Sequence, residues 1–318
     1  MKTISFRPAE PEQDFAQIAI WFSSLEDEPT TEITLKEYYE KEMHRIIQQV
    51  AEDEQGKMIG FYWMVHDRLV PGRASFDLFV EPKMRDQGTG FQLYDHLSLA
   101  VKGTGVKILR VNVWDSFPGY REFAEQRGFK ERLHRFGMSL NLETFNDQPY
   151  DEIIARLTRD GFVFSSMQAM GNTEECQRKL FTLNDTTAAT TPGTDGEHSW
   201  ESFEDFQKRV CQAEWYKPTG QIMAIDTATG SWAAMSAITR LQGNNYAYNL
   251  FTGVDITYRG RKLGQAVKVL ALRHARDVLK VTLVRTHHNT KNLPMIAIDH
   301  KLGYTAMPGT FLMEKELE

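Results

Sequence analysis

The sequence predicts an α/β protein of two tandem domains of one kind, each a mixed, partly parallel twisted sheet flanked by helices. Three observations lead there. The apolar run Phe76-Asp77-Leu78-Phe79-Val80 passes through a turn rich in Gly and Arg into a helical run, and Tyr248 to Val254 does the same before Gly264. Val80 aligns with Val254, Arg85 with Arg259 and Gly90 with Gly264 at one offset. Gly128-Phe129 and Gly303-Tyr304 follow with that offset changed by a single residue. Landmarks repeated in one order at one spacing read as a duplication. Strands that gather before each turn, then alternate with helices, read as a mixed sheet.

In the first half, Ile4 to Arg7 reads as a strand, and Pro8 with the acidic cluster Glu10 to Asp14 starts a helix through Leu25. A polar loop around Glu28-Pro29-Thr30 leads to a helix near Leu35 to Met43. Ile46 to Ala51 and Met58 to Val65 read as a hairpin across Asp53-Glu54-Gln55-Gly56. The Phe76 strand, the glycine turn, a helix to Val101, a strand at Lys107 to Val113 and a helix from Pro118 complete the half, with closing strands from Phe129 to Leu142. Polar Asn146-Asp147-Gln148-Pro149 marks the boundary, so the expected domains are 1–145 and 146–318. The second half repeats the order from Phe162. Its Thr186 to Glu197, rich in Thr, Gly and Asp, reads as a mobile loop that either covers a substrate site or is plain surface. A helix over Phe203 to Ala213 follows.

The chain has 318 residues, enough for two cores, and its 41% apolar and 25% charged content is that of a globular protein. A net charge of −6 argues against a general nucleic-acid binder. Met1 to Pro8 enters a strand directly, so no signal peptide is expected, and no apolar run approaches the ~18 residues of a membrane span. A cytoplasmic location follows as the expectation. Cys176 and Cys211 are isolated and form neither a disulfide framework nor a metal spacing. His287 and His288 adjoin on a strand and point apart, with no third ligand in sight, so no metal site is expected.

Each strand–turn–helix is an anion-binding device. The first N–H groups of a helix lack intrahelical partners and sit at the positive end of its dipole. Glycine lets a phosphate approach them. The Gly-x-Gly-x-x-Gly spacing of a dinucleotide fold and the Gly-Lys-Ser/Thr of a nucleotide-hydrolysing loop are both missing.

Arg85-Asp86-Gln87-Gly88-Thr89-Gly90, after a strand ending in Val80-Glu81-Pro82, resembles the Arg-x-x-Gly-x-Gly acetyl-CoA motif of the GNAT N-acetyltransferase superfamily. Arg259-Gly260-Arg261-Lys262-Leu263-Gly264 is similar except that Lys262 replaces the first glycine. Gly128-Phe129 and Gly303-Tyr304 resemble the family's closing Gly-Phe, and Asn292 to Ile298 resembles the stretch beside the pantetheine arm. The resemblance spans nearly the whole chain as two copies, similar in layout to mycothiol-synthase-like members. It implies an N-acetyltransferase that moves acetyl from acetyl-CoA to a primary amine of a small molecule or peptide by direct attack. A CoA-binding regulatory module without turnover, or a scaffold with one copy serving only the sheet, are the alternatives. No nucleic-acid or membrane partner is implied. The implied CoA-binding residues are Val80, Arg85, Gln87, Gly88 and Gly90 in the first half, and Val254, Arg259, Gly260, Arg261, Lys262, Gly264 and Asn292 in the second.

Many members carry a proton-donating tyrosine four residues before the closing Gly-Phe, where this chain has Ala124 and Asp299. Asp299 reads as a relay if its pKa is raised, or as a carboxylate on a helix surface. Tyr246 and Tyr248 share a face with Val254 by the strand period of two, to line an acceptor pocket, donate the proton or pack. More polar groups and the larger loop place turnover in the second half, with Tyr248 and Asp299 as its catalytic candidates and Lys262 on a CoA phosphate.

Overall fold

The computed structural model describes residues 4–25, 30–194, 196, 198–241 and 244–317. In chain order the elements are β1 (Ser5–Pro8), α1 (Pro11–Phe22), α2 (Glu32–Glu42), β2 (Ile46–Glu52), β3 (Met58–His66), β4 (Arg73–Val80), α3 (Thr89–Val101), β5 (Ile108–Trp114), α4 (Pro118–Glu125) and β6 (Lys130–Asn141). There follow α5 (Asp151–Arg159), β7 (Phe162–Ser166), α6 (Glu174–Ala189), α7 (Phe203–Phe206), β8 (Gln221–Asp226), β9 (Trp232–Thr239), β10 (Ala247–Val254), α8 (Leu263–Asp277), β11 (Leu283–Asn289), α9 (Leu293–Leu302) and β12 (Thr305–Glu316). Local chemistry sets several ends. Thr31 and Thr34 close a reciprocal capping box at α2, and proline occupies the first turn of α1, α4 and α9.

The chain forms two compact units, Met1–Arg132 with Thr310–Glu318, and Leu133–Gly309. They depart from the expected division at 145/146, because each sheet takes its last strand from outside its own sequence half. In the first unit β1, β2, β3 and β4 pair antiparallel in turn, β4 pairs parallel with β5, and β5 pairs antiparallel with Thr310 to Glu316 of β12. In the second unit β7, β8, β9 and β10 pair antiparallel, β10 pairs parallel with β11, and β11 pairs antiparallel with Arg135 to Asn141 of β6.

Apolar side chains alternate to both faces of each sheet. In the first unit, Phe15, Ile18, Trp21 and Phe22 of α1 pack on Phe61, Trp63 and Phe79, while Leu93 and Leu97 of α3 pack on Phe76, Leu109 and Met313. In the second unit, Leu180 and Leu183 of α6 pack with Met223 and Met235, and α8 and α9 cover the other face.

Two expected elements differ. Much of the expected mobile stretch Thr186 to Glu197 is ordered, since α6 continues to Ala189 and Thr190 to Thr194 form a turn. The threonine hydroxyls return to the chain: Thr186 donates to the Thr182 carbonyl, Thr190 to Thr186 and Thr191 to Thr187. That back-bonding is open to threonine on a helix, and composition alone misses it. Asp195 and Glu197 lie outside the described residues, as do Glu28 and Pro29 of the first loop. The helix over Phe203 to Ala213 is α7 running into a π-turn at Gln207–Cys211.

Candidate functional site

The two turns share a backbone shape and distribute it differently over residue types. In the first, Asp86 and Gly88 are left-handed, with φ of 58° and 87°, and in the second these positions are Gly260 and Lys262, with φ of 82° and 71°. Gly88 and Lys262 are therefore the N-caps of α3 and α8. A Cβ on Gly90 would lie 3.3 Å from Phe123, and one on Gly264 3.0 Å from Val254. Both glycines hold a helix start close to its neighbours.

The two arginines clamp their own turns. Arg85 Nε donates to the Val80 carbonyl at 3.0 Å, and Arg259 Nε to Val254 at 3.2 Å. Arg85 Nη1 reaches the Tyr120 hydroxyl at 3.0 Å, and Arg259 Nη2 donates to Thr190 Oγ1 at 2.6 Å. Gln87 Nε2 donates to the Lys83 carbonyl. Arg261, Lys262 and Gly260 line a hollow of about 350 Å³ with Arg156 and Asp160.

Beside the first turn the sheet opens. β4 and β5 pair from Arg73–Ile108 to Ser75–Arg110, then diverge. A cavity of about 620 Å³ occupies the divergence, lined by Phe76 to Val80 of β4, Val111 to Trp114 of β5, α4 side chains including Tyr120, Phe123 and Ala124, and Gly88 and Gly90 at the turn. Its walls are apolar and aromatic with few polar groups, the usual character of a small-molecule site. Asp77 projects from β4 into this lining. The chain after α1 reaches the cavity as well: Trp114 Nε1 donates to the Leu25 carbonyl at 2.8 Å.

In the second unit β10 and β11 pair at Ala247–Val284 and Tyr248–Arg285. Here side chains stitch and fill the divergence. Thr286 Oγ1 donates to the Asn249 carbonyl at 3.0 Å. Lys268, His288 and Asp299 stand where the first unit has Tyr94, Val113 and Ala124, all three of which line its cavity. Lys268 Nζ lies 2.7 Å from Asp299 Oδ2, and His288 Nε2 lies 2.5 Å from the same oxygen. Lys268 and Asp299 are 1% and 0% exposed. Burial pulls the lysine below its ordinary pKa, against the attraction of Asp299, and burial drives the Tyr304 phenol well up. The turn after α6 spans this end of the sheet: besides the Arg259 bond to Thr190, Asn289 Nδ2 donates to the Pro192 carbonyl at 2.6 Å. Asn289 matches Trp114, so one unit ties the chain after α1 to the end of β5 and the other ties the chain after α6 to the end of β11.

Two expectations are corrected here. Asp299 is no surface carboxylate; α9 turns it inward onto a lysine and a histidine on α8 and β11. Tyr248 does not share the face of Val254, because β10 carries a bulge between Asn249 and Phe251 that reverses the alternation. Through that bulge Tyr248 matches Ser75 and buried Asn249 matches Phe76. Tyr248 packs at 5.5 Å on the His287 ring. Tyr246 lies just outside β10 and stacks under the Arg285 guanidinium, 4.2 Å from its ring centroid. Asn292 is the N-cap of α9, and its side chain makes no capping bond.

No family model matches the chain, and no curated protein does. Solved structures match along its whole length. A GCN5-related N-acetyltransferase from Sphaerobacter thermophilus is 15% identical at a TM-score of 0.71, over 98% of this chain and 95% of that one. A tandem GNAT protein from the clavulanic acid biosynthesis pathway is 19% identical at 0.70, over 99% and 98%. The chain has the tandem GNAT fold. A glucosamine N-acetyltransferase region of a fungal multi-domain GH3 β-N-acetylglucosaminidase is 15% identical at 0.74, over 99% of this chain and 38% of that one. These likenesses establish the fold, with its partly parallel sheets and flanking helices.

Sequence reasoning missed Asp77, Tyr94 and Tyr120 as cavity residues. The signal was available for Asp77, a carboxylate inside an otherwise apolar strand run. No helix among the described residues is long and apolar enough to cross a membrane.

Proposed function

We propose that the protein is an acyltransferase that uses acetyl-CoA to acetylate a primary amine of a small molecule or peptide, and that the acyl-CoA site lies in the first unit. The observation that carries this is the 620 Å³ cavity in the β4–β5 divergence with the Gly88–Gly90 turn at its lip. The residues fit such a ligand. A left-handed glycine caps α3, and Gly90 leaves open the place where a Cβ would crowd Phe123. The helix start offers unpartnered N–H groups to a diphosphate. The edges of the diverging strands offer backbone groups to a pantetheine arm. The GNAT fold of the matched acetyltransferases supports the same reading. The expected placement in the second unit gives way, because Thr286, Lys268, His288 and Asp299 take up the corresponding space there.

Bound acetyl-CoA would supply an activated thioester. This chain's residues must then take a proton from the acceptor amine and protonate the departing sulfur. An amine of pKa near ~10 costs about 4 kcal/mol to deprotonate at pH 7, so a base is required. Asp77, in mid-strand on the β4 face that also carries Phe79 and packs toward α1, is the proposed base. Tyr120, which lines the cavity and whose hydroxyl is held there by the Arg85 N–H, is the proposed donor.

Calorimetric titration with acetyl-CoA tests the assignment, with one site per chain expected. Ala124→Phe should fill the cavity and abolish binding, whereas Gly264→Asp should leave it. Binding retained by Ala124→Phe and lost in Gly264→Asp would move the site to the second unit. Binding without acetyl transfer to any amine of a broad panel would instead leave a CoA-binding module.

A further inference from the structure

Gly128 and Gly303 hold one position in the two units, both at positive φ, so the residues before them correspond. In the second unit that residue is Leu302, 3% exposed and part of the apolar core. In the first it is Arg127. Its guanidinium carbon lies 3.3 Å from the Phe123 ring centroid, 4.1 Å from Phe91 and 5.3 Å from Tyr94. Nη1 donates to the Phe123 carbonyl at 2.8 Å. Nη2 is buried and has no hydrogen-bond partner among the described residues. No carboxylate among them pairs with the group, and burial holds its pKa below the ordinary value.

A buried guanidinium N–H without a partner is costly, and leucine at the matching position fills equivalent space with no such cost. Arg127 lines the same cavity as Ala124 and Tyr94. The other cavity arginine, Arg85, already serves the Val80 carbonyl and the Tyr120 hydroxyl. Stacking between aromatic rings fixes the plane of the Arg127 fork, and a planar fork with open donors matches carboxylate and phosphate oxygens.

We propose that Arg127 is a specificity residue that binds an oxyanion of the ligand in this cavity, either a carboxylate on the acyl group or a phosphate of the CoA portion. The proposal rests on the acyl-CoA reading above and narrows its substrate class. An apolar side chain serves the matching position in the second unit, so the charge is retained here for a ligand.

The test compares wild type, Arg127→Leu and Arg127→Lys by calorimetry with succinyl-CoA, acetyl-CoA, 3′-dephospho-acetyl-CoA and acetyl-pantetheine. Arg127→Leu should fold, as leucine does at the matching position, and a melting scan checks it. The expected result is a loss of about tenfold or more confined to ligands that carry the recognised anion, with Arg127→Lys recovering part of it. A loss for succinyl-CoA alone places the acyl carboxylate on Arg127. A loss for acetyl-CoA that dephosphorylation removes places the 3′-phosphate there, and a loss spanning all CoA thioesters but not acetyl-pantetheine places the diphosphate. Unchanged affinities in Arg127→Leu, or an equal loss for acetyl-pantetheine, overturn the proposal. Should wild type bind no CoA thioester, the acyl-CoA reading fails, and thermal shifts with free succinate and pyrophosphate decide the anion site separately. Stabilisation of wild type that Arg127→Leu lacks upholds it, and no stabilisation sinks it.

Discussion

Single residues carry the sharpest energetic consequences. Lys262 caps α8 in a left-handed conformation with φ of 71°, which costs a residue bearing a Cβ about 1–2 kcal/mol. Lys262→Gly should therefore raise stability by up to about 1 kcal/mol, the gain reduced by glycine's greater freedom when unfolded; urea unfolding reads it directly. The reverse change in the first turn, Gly88→Ala, should destabilise by a similar amount. The buried Lys268–Asp299 pair behaves differently. Asp299→Ala leaves an ammonium without its counter-charge and should cost about 3–5 kcal/mol. Lys268→Met combined with Asp299→Leu should recover most of that loss. A double variant no more stable than Asp299→Ala alone would show that the cluster holds the unit by more than charge balance.

At the scale of elements, β1 is fastened to α1 by charge. Asp14 is 2% exposed and receives Arg7 Nη1 at 2.7 Å, Arg7 Nη2 at 2.9 Å and the Glu10 backbone N–H at 2.7 Å. Burial alone would raise its pKa, but the bonds from Arg7 and Glu10 outweigh it, and the carboxyl lies below its ordinary value. A carboxylate depressed in the folded state stabilises the fold fully above the unfolded pKa of ~3.9, and that contribution fades as pH falls through the folded value. Unfolding midpoints measured downward from pH 6 should drop below about pH 4, and Asp14→Asn should be less stable at pH 6 with a flatter acid limb. Equal slopes in the two proteins would remove Asp14 from the acid response. The bulge in β10 is the other element-scale device. It sends Tyr248 toward the α6 face and turns Asn249 inward, where its Nδ2 donates to Ser236 Oγ and to the Ala237 carbonyl.

For the whole molecule, the last strand of the first unit comes from the end of the chain. Met313 is 0% exposed within that unit's core, and Glu314 receives Arg110 Nε at 2.7 Å. Deleting Thr310 to Glu318 exposes β5 along seven register pairs, from Thr310–Trp114 to Glu316–Ile108. Fragment 1–145 should consequently not fold to the cavity-bearing state by itself, as circular dichroism and acetyl-CoA titration would show. Met313→Asp in the intact chain should cost more than about 3 kcal/mol, since it buries an unpaired carboxylate. A well-folded 1–145 fragment that binds acetyl-CoA would show the first half to be self-sufficient.

What the amino-acid order determined by itself is the local part of this protein. Apolar alternation, proline at helix starts and the repeated Arg and Gly landmarks specify strands, turns and helices through interactions between near neighbours. They specify the duplication as well, and with it the tandem GNAT fold. The residues around Gly88, Gly90 and Arg85 were legible as a tight strand-to-helix turn for the same reason. Tertiary structure decided the rest. Whether Ala124 opens a cavity or Asp299 closes one depends on what β5, β11, α3 and α8 bring opposite them, from about 10 to 30 residues away in sequence. The bulge at Leu250 is set by the pairing of β10 with β9, so the period of two misplaced Tyr248. The strand that completes each sheet is chosen by which edge lies open, and a linear boundary at 145/146 has no access to that choice.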